Sequence, residues 1–225
     1  MMIEFPSNGT VGQGYLATPA GGSGPGVIVI QEWWGLVPHI EELCERFAGE
    51  GYVALAPDFY HGAKASEPDE AGKLMMAMSL DQAVKDFSGA VDALLDQSTG
   101  TTVGVVGFCM GGGLALVLAT KRPESIAAVV PFYGLIGWPE HAPDWSRLRA
   151  AVCGHYAEND ESAPPAGVAQ LEADIRAAGN DDVTMYIYPG TDHAFFNDTR
   201  ADVYDAEAAK LAFSRTLAFL RSKLA

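Results

Sequence analysis

The chain has 225 residues, enough for one α/β domain of the usual size of about 150 or somewhat more. With 48% apolar residues it can bury a sizeable core, which excludes a disordered or fibrous protein. Lys plus Arg number 14 and Asp plus Glu 29, and the resulting net charge of −15 argues against partners such as nucleic acid or an anionic membrane surface.

The pattern predicts strands alternating with helices along the whole chain. The Gly-rich stretch Gly21–Gly26 reads as a turn between two early strands. Val27–Ile30 is a short apolar run, as expected of a strand covered on both faces. Ile40, Leu43 and Phe47 recur at helical spacing, and Tyr52–Ala56 is the next strand, halted by Pro57-Asp58. Val84, Phe87, Val91 and Leu94 mark a helix with a polar outer face.

Ser98 to Thr120 carries no charge and is long enough to span a bilayer, but its glycines read better as strand, turn and buried helix. Strands are expected at Ile126–Phe132, Ala151–Tyr156 and Val183–Tyr188. Val168, Leu171, Ile175 and Ala178 form a helical stripe between the last two. Phe213, Leu217, Leu220 and Leu224 define a closing helix. This alternation predicts an α/β fold, a three-layer sandwich around a mostly parallel sheet, built as a single domain over residues 1–225. Ligands of such sheets bind beyond the carboxyl ends of the strands, so chemistry is sought just after each strand.

Gly107-Phe108-Cys109-Met110-Gly111 lies between a strand and a helix and matches the Gly-x-nucleophile-x-Gly elbow, with Cys in place of Ser. Side chains two residues either side of Cys109 are expected to collide with the neighbouring strand, hence the glycines. The positive end of the following helix favours a thiolate. A phosphate loop is the rival for a Gly-rich strand–helix turn, but neither Gly-Lys-Ser/Thr nor G-x-G-x-x-G spacing is present. A buried structural cysteine beside packing glycines is the plainer alternative.

A thiol with an ordinary pKa near 8.5 is mostly protonated at neutral pH and needs a base. His193, after the last strand, fills the third place in the order nucleophile, acid, histidine. His39 and His61 precede the nucleophile, His141 lies in a Pro- and Trp-bearing loop, and His155 sits inside a strand as a core residue. Asp160 follows the strand Ala151–Tyr156 and is the candidate third member, with Glu158 its competitor and Asp192 a weaker one. Glu32, at a strand end, is either a solvated acid or a carboxylate near Cys109 that affects its protonation. The amides of Trp33 and Met110 are then the expected oxyanion donors. Trp33, Trp34 and Tyr133 are candidates for an aromatic pocket wall.

These pieces together resemble the dienelactone hydrolase family, whose fold is that of the α/β hydrolases. The likeness rests on Ile30–Leu36, Ala56–Tyr60, Gly107–Gly112, Phe132-Tyr133-Gly134 and His193-Ala194-Phe195. The resemblance implies a carboxylic ester hydrolase of carboxymethylenebutenolidase type, with Cys109, Asp160 and His193 as triad and Glu32 engaging the resting thiol. The family grips its substrate carboxylate with two arginines. Here Phe59–Met78 holds only Lys64 and Lys73, and the second position is Asn197, with Arg200 displaced nearby. The expected substrate is therefore a small ester, lactone or thioester, with neutral ones processed at least as well as carboxylated ones.

No cofactor or metal is expected, since neither H-E-x-x-H nor clustered ligand spacing occurs. Three sparse cysteines and no secretory signal suggest the cytoplasm, as a monomer or small homo-oligomer. A non-catalytic thiol-bearing ligand-binding protein on the same fold is the alternative from another class.

Overall fold

The computed structural model describes residues 1–7, 9–137 and 142–224. The chain divides into two compact units, Met1–Val105 and Val106–Ala225.

The first unit orders its strands β1-β2-β4-β3. β1 (Met2–Ser7) and β2 (Thr10–Ala17) form an antiparallel hairpin with Phe5 opposite Gly12. β2 also runs antiparallel to β4 (Val53–Pro57), whereas β3 (Pro25–Ile30) and β4 are parallel. Val27 to Ile30 are wholly buried, as their unbroken apolar run requires. Helix α1 (Pro38–Gly49) opens on a proline, whose fixed φ suits a first helical turn. It buries Ile40, Leu43 and Phe47 and leaves Glu42 and Glu45 outside. α2 (Pro68–Ala77) buries only Ala71. α3 (Leu80–Leu95) starts at Ser79, whose side chain accepts the Gln82 amide, and buries Phe87, Val91 and Leu94.

Strand β5 (Thr99–Phe108) runs through the boundary and delivers Cys109. Within the second unit α4 (Met110–Ala119) is buried on every side, as ten residues without a charged group demand. The apolar stretch from Ser98 is thus strand, elbow and short helix. Among the described residues no helix is long and apolar enough to cross a membrane. β6 (Ile126–Phe132), β7 (Ala151–Ala157) and β8 (Val183–Tyr188) follow as parallel neighbours, with Phe132 opposite His155 and Ala157 opposite Tyr188. Their carboxyl ends therefore share one edge of the sheet. α5 (Pro165–Ala177) and α6 (Ala206–Lys223) complete the unit, α6 capped by Asp205 on the Ala208 amide.

The closing helix differs from its expected stripe. Its buried residues are Ala209, Ala212, Thr216, Leu217 and Leu220, while Phe213 is half-buried and Leu224 lies past the helix end. The face accommodates Thr216 because that hydroxyl finds a buried partner in His155.

Candidate active site

Cys109 has φ 55° and ψ −121°, a conformation that L side chains rarely adopt. Two close approaches hold the turn. The Cys109 amide donates to the Phe132 carbonyl at 3.0 Å, seating the elbow on the end of β6. A Cβ on Gly134 would stand 2.1 Å from the Cys109 carbonyl oxygen, so this contact needs glycine. The expected reason for the flanking glycine changes in detail. A Cβ on Gly107 would meet the Gly111 carbonyl oxygen at 2.0 Å, within the elbow's own first turn. It is Gly112, one residue further on, that faces the neighbouring strand at Phe132 O.

Cys109 is half-buried, and its Sγ lies 3.2 Å from His193 Nε2. The other ring nitrogen, Nδ1, lies 2.7 Å from Asp160 Oδ2. Asp160 is buried, and its Oδ1 accepts the amides of Ser162 and Ala163 at 2.8 and 2.9 Å. Burial alone would raise this carboxyl, but the hydrogen bond and charge of His193 and the two amides outweigh it and hold it low. For His193, burial acts to lower the imidazole. The hydrogen bonds to Asp160 and Cys109 and their charges win, and it is raised to about 10.

The loops carrying these groups are tied together. The Glu158 amide donates to Tyr188 O at 3.2 Å and the Asn159 amide to Thr191 O at 3.0 Å. Thr191 Oγ1 donates to Tyr188 O at 2.8 Å, closing the turn that precedes His193. The Tyr133 ring sits edge-on to the His193 ring at 5.1 Å and to Phe195 at 5.6 Å.

Structure thus brings Cys109, Asp160, His193 and Tyr133 together, with Met110 at the positive end of α4. Glu158 is turned to the Gly190 amide, and Asp192 is exposed. Asn197 is buried, its Oδ1 accepting from the Thr199 amide and hydroxyl. Arg200 is paired on the surface with Asp202 at 2.6 Å. Glu32, Trp33 and Trp34 lie in the first unit directly after β3, Glu32 buried and the two indoles edge-to-face at 5.1 Å. His39 is buried in α1, His61 lies 3.2 Å from Asp86, and His155 is buried in β7. His141 lies outside the described residues. Among the described residues no group of three or more His, Cys, Asp or Glu converges as a metal site.

A parallel strand series with a strained Gly-x-Cys-x-Gly elbow and a carboxylate-backed histidine defines a hydrolase of the α/β-hydrolase class. The chain belongs to the dienelactone hydrolase family, whose model matches residues 13–224. It is 43% identical to Protein usf of Aquifex pyrophilus, over 99% of this chain and 98% of that one. It is 37% identical to a protein of Aquifex aeolicus described as a putative carboxymethylenebutenolidase, with the same coverage. Among solved structures, a putative dienelactone hydrolase from Klebsiella pneumoniae superposes with a TM-score of 0.87 at 32% identity, over 98% of both chains.

Proposed function

We propose that this hydrolase opens small esters or lactones by acyl transfer to Cys109, with His193 as base and Asp160 as the acid that orients it. One observation carries the reading: a single imidazole lies 3.2 Å from a thiol on a strained elbow and 2.7 Å from a buried carboxylate. The Asp160 carboxylate and the Cys109 sulfur raise His193, which suits an imidazole that takes up and passes on a proton at this site. The thiolate sulfur attacks the carbonyl carbon, and the charge that develops on the carbonyl oxygen meets the Met110 amide at the head of α4. The bond to the leaving oxygen breaks, and that oxygen takes the proton from His193 Nε2. Water then attacks the thioester, His193 accepts its proton, and the thiolate departs from the released acid. The Trp33 amide and the Glu32 carboxylate join this reading from the sequence pattern.

Residues 1–225 act in this proposal as one catalytic domain, supported by relatives matched over nearly their full length. The absence of paired or clustered cysteines fits a reducing cytoplasm. The family's substrate-gripping arginines have no free counterpart in Arg200, which is engaged by Asp202. Neutral esters and lactones are therefore the favoured substrates, at least equal to carboxylated ones with a similar leaving group.

The test is turnover of aryl esters, thioesters, neutral lactones and a dienelactone, with and without chelator, by wild type and Cys109→Ala. Chelator-insensitive turnover abolished in Cys109→Ala, with an acyl-enzyme seen by mass spectrometry, is expected. Activity retained by Cys109→Ala, or lost with chelator, overturns the reading. A strong preference for the dienelactone that vanishes in Arg200→Ala overturns the substrate assignment alone.

A further inference from the structure

His155 is wholly buried in β7, yet its side chain is fully engaged by polar partners. Nδ1 lies 2.9 Å from the Tyr188 hydroxyl and Nε2 lies 3.0 Å from Thr216 Oγ1. Arg215 Nη1 donates to the same Tyr188 hydroxyl at 3.2 Å. A guanidinium has no acceptor, so the phenol oxygen accepts that bond, and its O–H is placed to donate to His155 Nδ1. His155 Nε2–H is then left to donate to Thr216. Burial, reinforced by the Arg215 charge, lowers His155 to about 3, so the ring stays neutral and this direction is kept. Burial likewise raises the Tyr188 phenol against the pull of Arg215, keeping its proton.

The brace joins β7, β8 and α6 at the edge from which the reactive loops spring. Tyr188 is the last residue of β8, and its carbonyl receives both the Glu158 amide and the Thr191 hydroxyl. Its ring packs on Phe195, two residues past His193, at 5.0 Å. The His155 carbonyl in turn receives the amide of Tyr133, whose φ of 37° is held against the His193 ring. Two routes thus lead from His155 to His193, and one of them also leads to the loop of Asp160. An apolar residue here would leave the Tyr188 and Thr216 hydroxyls without this partner, so the pocket asks for a side chain that can hydrogen-bond on both sides.

We propose that His155 is a positioning residue of the hydrolytic site: by clamping the Tyr188 hydroxyl it sets the spacing of His193 from Asp160 and Cys109. The inference rests on the reading of Cys109 and His193 as nucleophile and base. Because Tyr188 adjoins both loops, the Nδ1 link carries the effect and the Thr216 link does not. Asparagine can place its amide oxygen where Nδ1 stands, whereas glutamine reaches towards Thr216 instead.

The test compares His155→Leu, His155→Asn, His155→Gln and Tyr188→Phe for kcat and KM on an aryl acetate, and for the His193 titration by carbon-13 NMR. His155→Leu and Tyr188→Phe are expected to lower kcat roughly 10- to 100-fold at nearly constant KM. In both, the His193 titration should fall from about 10 by at least about one pH unit towards its ordinary 6.5. His155→Asn should restore most of the loss and His155→Gln little, and the double variant should be no worse than either single one. Should His155→Leu fail to fold, Tyr188→Phe, which removes one oxygen, decides the matter alone. Folded variants with unchanged kcat and an unmoved His193 titration overturn the proposal. If Cys109→Ala and His193→Ala are inactive in the same assay, that failure belongs to the brace and leaves the nucleophile reading standing. Turnover surviving in Cys109→Ala or His193→Ala would overturn both.

Discussion

Glu158 Oε2 accepts the Gly190 amide at 2.8 Å, so the acid nearest the end of β7 serves the turn and leaves His193 to Asp160. Asp160→Asn is expected to keep the fold and lower kcat by about 10⁴-fold, because an amide favours the wrong imidazole tautomer and supports no imidazolium. Glu158→Gln retains an oxygen for Gly190 and should stay within a few-fold of wild type. Steady-state kinetics of the two variants on one aryl ester decide between them, and a reversed order would move the role to Glu158.

The three thiols differ sharply in environment. Cys44 is wholly buried and burial drives it far above the ordinary thiol range, while burial raises Cys153 to about 11 despite the opposing charge of Arg215. Cys109 is the one with access to solvent and a base. Iodoacetamide near neutral pH should label Cys109 first, with activity falling in step. Peptide mapping by mass spectrometry checks this, and inactivation that tracks Cys153 or Cys44 would count against the assignment.

Gly134 meets the Cys109 carbonyl and the Gly113 amide, both backbone atoms, at 2.1 and 2.6 Å from a built Cβ. Neither can swing aside, so Gly134→Ala should cost about 1–3 kcal/mol or more and distort the elbow. Gly72, inside α2, has open space around its built Cβ, and Gly72→Ala should stabilise by about 0.5–1 kcal/mol. Urea unfolding of both variants measures the contrast, with activity expected to fall in Gly134→Ala only.

The site also predicts a pH dependence of stability. His193 is raised from 6.5 to about 10, so its contribution is fully present below 6.5 and disappears as pH climbs through about 10. Asp160 is lowered from 3.8, so its contribution is present above 3.8 and disappears as pH drops through the lower folded value. The stability advantage of wild type over His193→Gln should therefore be largest just below pH 6.5 and shrink progressively as pH rises from 6.5 to about 10. Unfolding free energies of the pair across that window provide the check; a gap that widens between pH 6.5 and about 10 would contradict the sign.

Much of this arrangement is legible without coordinates because the elbow and the order Cys, Asp, His follow from strand–turn–helix grammar. Val27–Ile30, α4, β6 and β7 likewise announce themselves through mostly apolar runs that burial accommodates, whereas β8 keeps Thr184 and Ile187 exposed. Helix α2 does not, since burying Ala71 alone leaves no stripe to read. Nor does the antiparallel β1–β2 hairpin, which departs from an otherwise parallel pattern. The choice of Asp160 over Glu158 turns on two carboxylates two residues apart, and only the direction of each side chain separates them. His155 is recognisable in sequence as a core histidine, but its partners lie 33 and 61 positions away, beyond any local pattern.

The backbone of Cys109 carries a further consequence. Its φ of 55° with ψ of −121° suits glycine, and a residue held there costs on the order of 1–3 kcal/mol. Cys109→Gly should thus yield an inert protein that melts higher than its parent. If Cys109 is the nucleophile proposed above, stability and catalysis make opposite demands on this one position. A side chain at this elbow thus carries a conformational cost that glycine would not.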